Sequence, residues 1–171
     1  NKSSTPQACR EALKEMFKLI ISSDEATVQA AVQQFKDHYF ALRPDQIAFP
    51  RGANNITGCI ERRTYRNQAG EQVTTEFYKK GTPIHVRAAL AYNWLRKDLD
   101  LKQYPELRNG DKIKFLYLNE GKFKQNVIAF PDFLPKEFNL EQHIDKELQF
   151  QKTFTDAIEP ILNAIGWTSV K

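Results

Sequence analysis

Sulfur and glycine are both scarce in this chain. It has two cysteines, one methionine and seven glycines in 171 residues. Cys9 and Cys59 stand far apart and form no CxxC pair. Neither a zinc site of the finger or ribbon type nor a disulfide framework is therefore expected, and a reducing compartment fits. The glycines build no phosphate-cradling loop of the P-loop type. No run of 18 apolar residues is present, so no membrane-spanning helix is expected, and no signal-peptide pattern opens the chain. His38, His85 and His143 lack metal-ligand spacing. Clustered carboxylates of the kind that two-metal phosphoryl transfer requires are missing as well. The one tight acidic pair, Asp98 and Asp100, follows Arg96 and Lys97 where a helix is expected to end, and reads as a solvated terminus. A small metal-dependent phosphotransferase or nuclease built on that pair is the third reading of the chain. No catalytic residue, metal ligand or cofactor is assigned within it. The lone methionine, Met16, falls inside a helical pattern, and a chain opening Asn-Lys-Ser-Ser-Thr-Pro is expected to be a piece of something longer.

What is present is enough to build a core. The apolar fraction is 41%, with twelve phenylalanines and two tryptophans, which excludes a disordered tail. Ser3-Ser4-Thr5-Pro6 reads as a helix start, with a hydroxyl cap and proline in the first turn. Leu13, Phe17, Ile20 and Ile21 then recur at helical spacing. Ser22-Ser23-Asp24 breaks that helix and caps a second, whose stripe is Val28, Ala31, Val32, Phe35, Tyr39 and Leu42, with Pro44 just past its end. The short connection predicts an antiparallel pair. Pro50, Gly52, Asn54, Asn55 and Gly58 predict irregular backbone. Residues 60–65 and 73–78 flank Asn67-Gln68-Ala69-Gly70 as a β-hairpin. Thr82-Pro83 restarts a helix, with Ile84, Ala88, Ala91 and Leu95 on one stripe, widened by Leu90 and Trp94. Ile113, Phe115 and Tyr117 alternate with Lys112, Lys114 and Leu116 as a strand, and residues 126–130 form another. The last third is helical, with Phe150, Phe154, Ile158, Ile161 and Ile165 in register and Pro160 as a kink or boundary. The expected class is α+β and helix-dominated: one region over residues 1–171, with an N-terminal helical hairpin, a small β element and C-terminal helices.

Charge is unevenly spread. The net charge is +4. Between Lys79 and Lys97 lie five bases and no acid, and Arg62, Arg63 and Arg66 precede them. Residues 132–159 hold seven acids and three bases. That asymmetry suits a chain presenting one face to a polyanion. The sharpest local signal is Lys79-Lys80-Gly81-Thr82-Pro83-Ile84-His85-Val86-Arg87. Gly81 allows close backbone approach, the helix start carries partial positive charge, and Lys79, Lys80, His85 and Arg87 surround it with phosphate-binding groups. The competing reading is a solvated loop before an ordinary helix. A second candidate is the loop Pro50-Arg51-Gly52-Ala53-Asn54-Asn55, where Arg51, Asn54 and Asn55 can reach sugars or minor-groove edges, against a plain turn. Tyr78, Tyr92 and Trp94 are the aromatics available for base stacking, with Trp94 reading as core.

Several stretches, in order along the chain, resemble the end of the palm and the thumb of family B DNA polymerases from large tailed phages of the T-even type. They are Lys2-Ser3-Ser4-Thr5-Pro6 with its helix, and Phe49-Pro50-Arg51-Gly52-Ala53-Asn54-Asn55-Ile56. Next come Lys80-Gly81-Thr82-Pro83-Ile84-His85-Val86-Arg87 continuing through Ala91-Tyr92-Asn93, Gly110-Asp111-Lys112-Ile113, and Ile128-Ala129-Phe130-Pro131. The last is Ile144-Asp145 followed by Phe150-Gln151-Lys152-Thr153-Phe154 and Pro160. The resemblance implies a thumb that wraps double-stranded primer–template DNA through phosphates and the minor groove. It also implies a palm of the same polymerase as partner and the cytoplasm of an infected bacterial host as workplace. The parent would be a DNA-directed DNA polymerase, a nucleotidyltransferase of DNA replication. Its magnesium and catalytic aspartates lie in upstream palm motifs. Neither the SLYPS-type nor the DTDS-type motif is present, nor are the exonuclease motifs, so this piece alone is expected to be inactive. The family often ends in an apolar peptide that binds a sliding clamp, whereas this chain stops at Trp167-Thr168-Ser169-Val170-Lys171. Residues 58–78 are longer than the family pattern and are expected to be a hairpin insert. The alternative is a free-standing nucleic-acid-binding domain unrelated to replication.

Overall fold

Apolar residues at helical spacing fold the first forty residues into two helices, α1 (Gln7–Ser22) and α2 (Glu25–Phe40). The computed structural model describes residues 5–119 and 126–170. Asp24 caps α2 by accepting from the Thr27 N–H at 2.8 Å, and this bond to Thr27 lowers its carboxyl pKa. The N-cap of α1 is not one of the expected hydroxyl residues. Pro6 itself stands at the N-cap, its carbonyl accepting from Cys9 and Arg10, and Ser3 and Ser4 lie outside the described residues. Cys9, at the start of α1, faces Tyr39, at the end of α2, so the pair is antiparallel. The buried seam of α1 differs from the expected one. It runs through Cys9, Ala12, Leu13, Met16, Leu19 and Ile20, and it leaves Phe17 exposed and Ile21 87% exposed. A stripe through 9, 13, 16 and 20 follows the helical turn, and this rotates Phe17 and Ile21 off the seam.

A short helix, α3 (Pro44–Ile47), leads into strand β1 (Phe49–Ala53). The expectation of irregular backbone is corrected at Pro50 and Gly52, which with Arg51 are strand residues, and holds at Asn54 and Asn55, with Gly58 in the short turn that follows. β1 lies at the edge of a three-stranded antiparallel sheet, where a proline without an N–H is tolerated. β2 (Ile60–Arg66) and β3 (Gln72–Tyr78) then pair as the expected hairpin, a separate two-stranded sheet. Next comes α4 (Ile84–Asp98), with Val86 and residues 88–92 all buried. β4 (Asp111–Tyr117) is the centre of the larger sheet, between β1 and β5 (Val127–Phe130). The lysines of β4 are at least partly exposed. Leu116, expected on their outward face, is fully buried, because β4 is covered on both sides at that end. α4 packs across β5, β4 and β1, while α3 and α5 (Lys146–Phe150) also pack on β4.

The C-terminal helical run closes the other side. After α5 the backbone widens into a single π-turn (Gln151–Thr155) and continues as α6 (Asp156–Ala164). Phe150, Phe154, Ile158 and Leu162 are buried; Ile161 and Ile165, expected in register with them, are exposed. A repeat of four drifts forward around an α-helix, and the wider turn offsets that drift. The irregularity lies upstream of Pro160, and α6 runs through the proline. Phe35 of α2 meets Phe150 and Phe154, and Tyr39 meets Phe150, with ring centroids 4.8–6.0 Å apart. Gln149 joins the layers: wholly buried, it accepts from Tyr117 N at 3.0 Å and donates to the Ile47 carbonyl at 3.0 Å. The class is α+β and helix-dominated, as the periodicity implied.

Candidate nucleic-acid interface

The first predicted site segment is fixed by a turn that its own residues dictate, and the second begins on the edge strand β1. Between β3 and α4, Thr82 turns its hydroxyl back to the Lys79 carbonyl at 2.6 Å instead of capping the helix. Gly81 takes φ 84°, a conformation that favours glycine. Pro83 becomes the N-cap, and its carbonyl accepts from both Val86 and Arg87. The N–H groups of Ile84 and His85 thus precede the first helical bond with no capping side chain, and the first turn holds no acid. Lys79 and Lys80 are exposed on the preceding turn, which is anchored by the Lys79 N–H to the Cys59 carbonyl at 2.8 Å.

The structure unites the two candidate segments at His85. The half-buried His85 ring hydrogen-bonds the backbone of Gly52, and the Arg51 guanidinium lies close enough to disfavour a second positive charge. Its pKa is lowered from the usual histidine value, first by burial and then by Arg51, with the Gly52 bond opposing. Arg51 is itself held. Its guanidinium donates to the Pro50 carbonyl at 2.8 Å and sits 5.7 Å and 5.6 Å from the rings of Phe49 and Phe115. Arg87 lies 5.2 Å over the Tyr78 ring. Tyr78 is therefore the base on which a cation rests, and Tyr92 is wholly buried, bonding the Pro105 carbonyl at 2.8 Å. Trp94 is half-buried and donates to Glu76 of β3 at 3.3 Å. Neither Tyr92 nor Trp94 is thus presented for stacking.

Asn54 is exposed just beyond β1. Asn55 adopts φ 56°, which asparagine tolerates better than most residues. Its side chain lies so close over Gly58 that a Cβ there would collide with it. Asn109 bridges the same turn, accepting from Thr57 N–H at 3.2 Å and donating to its hydroxyl at 3.0 Å. The Asn55 side chain thus lies over the 57–59 turn, and Asn109 holds that turn. Asp98 and Asp100 are exposed at the end of α4, Asp100 lying 3.8 Å from the equally exposed Lys102. Among the described residues no three His, Cys, Asp or Glu side chains gather as a metal site, and no helix is long and apolar enough to cross a membrane. The roles of Gly52 and Tyr78 in positioning His85 and Arg87 had no local sequence signal: the first is a contact between residues 33 positions apart.

The chain is 29% identical to the DNA-directed DNA polymerase of Enterobacteria phage T4 over 174 aligned residues. The likeness supports a relationship to a phage DNA polymerase. It takes in 96% of this chain and 17% of the length of the T4 polymerase. No family model matches.

Proposed function

We propose that this chain is the thumb of a family B phage DNA polymerase, gripping duplex primer–template DNA while chemistry proceeds elsewhere in the parent protein. The observation that carries the reading is the convergence of Arg51, Gly52 and His85 beside the Lys79–Lys80 turn, within a chain aligned nearly end to end with a polymerase. The uncapped first turn of α4 offers N–H donors and partial positive charge to a phosphate, Lys79 and Lys80 add long-range attraction, and Arg87 is braced on Tyr78. Gly81 and Gly52 keep the backbone open: a Cβ at either would meet nothing within 4 Å. Arg51, Asn54 and Asn55 extend the contact towards sugar and minor groove. Such a grip slows dissociation of the duplex and keeps the primer end in place. Its partner within the polymerase is the palm, which supplies the magnesium and the catalytic aspartates. This piece alone is inactive in nucleotidyl transfer. The protein works in the infected bacterial cell, and a sliding clamp would engage through a peptide outside these residues.

The test is fluorescence anisotropy of a labelled primer–template duplex across a salt series. Binding is expected to fall steeply with salt and to ignore sequence. Lys80→Ala combined with Arg87→Ala removes two phosphate contacts, so the slope of log K against log salt becomes shallower by about 1.8. An unchanged slope in a still-folded double variant overturns the site. Cleavage of DNA in magnesium that Asp98→Ala abolishes would replace the reading with the nuclease one.

A further inference from the structure

The β2–β3 hairpin carries cations that the α4 site does not use, and its two faces differ in kind. One face holds Glu61, Arg63 and Tyr65 opposite Phe77, Thr75 and Val73. There Arg63 is spent locally, pairing with Glu61 at 2.9 Å and covering the Phe77 ring at 4.6 Å. The other face begins at the body of the protein, where Tyr78 supports Arg87 and Glu76 accepts from Trp94. Outward from that root it continues through Arg62, the Thr64–Thr74 hydroxyl pair at 3.1 Å, and Arg66 opposite Gln72. All five of these side chains are exposed. Arg62 has one 3.5 Å contact to Glu76; Arg66 has no acidic partner among the described residues.

We infer that this face of the hairpin is a second duplex-binding surface, which carries the grip of the α4 site further along the nucleic-acid backbone. The inference rests on the duplex-gripping reading above and adds to it a separate element. Guanidinium, hydroxyl and amide groups with no apolar side chain between them are the donor set for phosphate and sugar oxygens. A protein partner would call instead for an aromatic or aliphatic centre. A two-stranded ribbon also fits a duplex groove, and strands of seven residues reach about 23 Å, or about two-thirds of a helical turn. The face is continuous with the helix that bears His85 and Arg87, so one duplex can touch both.

The experiment compares the 171-residue chain with Arg66→Ala, Arg66→Lys and Gln72→Lys, on duplexes of about one and about two helical turns. Arg66→Ala is expected to weaken binding to the longer duplex about two- to fivefold, the range of one exposed ion pair, and to make its salt slope shallower by about 0.9. Arg66→Lys restores affinity and Gln72→Lys strengthens it. The short duplex, filled by the α4 site, responds little to any of them. Thermal unfolding checks that each variant is folded. If Lys80→Ala/Arg87→Ala weakens binding while the three hairpin variants change nothing, the hairpin inference fails and the thumb reading stands. If neither set matters, both fail.

Discussion

Strands β2, β3 and β4 are all seven residues long, yet they stand in opposite environments. β4 runs through the centre of the molecule and buries Ile113, Phe115, Leu116 and Tyr117. The hairpin of β2 and β3 is exposed over most of its length, with Tyr65 52% accessible. The first is held by tertiary packing. The second is held by cross-strand pairs, such as Thr64 with Thr74 and Arg62 with Glu76, and by contacts of Glu76 and Tyr78 with α4 at its root. A strand need not be buried to be well specified, provided its register is fixed elsewhere. Here the Asn67–Gly70 turn at one end and the Lys79–Cys59 bond at the other fix it.

Truncating each environment sharpens the contrast. Leu116→Ala is expected to cost about 2–5 kcal/mol in denaturant unfolding, since it opens a cavity between helices and sheet. Tyr65→Ala, on the hairpin, should stay within about 0.5 kcal/mol; equal losses would break the comparison. Trp94→Phe removes the bond to Glu76 at the hairpin root, expected at about 0.5–1.5 kcal/mol. Faster amide exchange confined to β2 and β3 would identify the root as their anchor.

The smallest expected effect is one of pH. His85 is disfavoured as a cation in the folded chain, so the unfolded chain takes up its proton first. Stability should therefore slope downward as pH falls through the ordinary histidine value of about 6.5, and His85→Phe should flatten the slope. A phosphate bound beside His85 favours the cation, so duplex affinity should rise over the same interval. An affinity that fell with acid would remove His85 from the site. At the opposite extreme, Cys9 is raised to about 12 by burial, so the stability that its neutral thiol contributes is lost above about pH 9.

The sequence made the helices and the hairpin legible because their signals are local: periodicity for α2 and α4, a turn of Asn67 to Gly70 for β2–β3. β1 was hidden because Pro50 and Gly52 read as punctuation, and only a partner strand more than fifty residues away makes them an edge. The outward rotation of Phe17 and Ile21 depends on which face α2 offers. The burial of Leu116 depends on layers on both sides of β4. The site was half legible. Lys79 to Arg87 announced itself by charge, glycine and proline, and Arg51 by its neighbours. That His85 would close onto Gly52, and that Tyr78 would carry Arg87, are consequences of packing between distant segments. Asn55 was chosen as a reader of grooves from residue type alone, and its position over Gly58 is a further consequence of the fold.

The placement of Trp94 also gives the molecule a built-in optical probe. It is one of two tryptophans, and its indole N–H ends on a carboxylate at the root of the hairpin. Any movement of the hairpin against α4 changes the polarity around that ring, and with it the emission wavelength. With Trp167→Phe the chain emits from Trp94 alone. Its spectrum then reads hairpin motion in unlabelled protein, on any nucleic acid added.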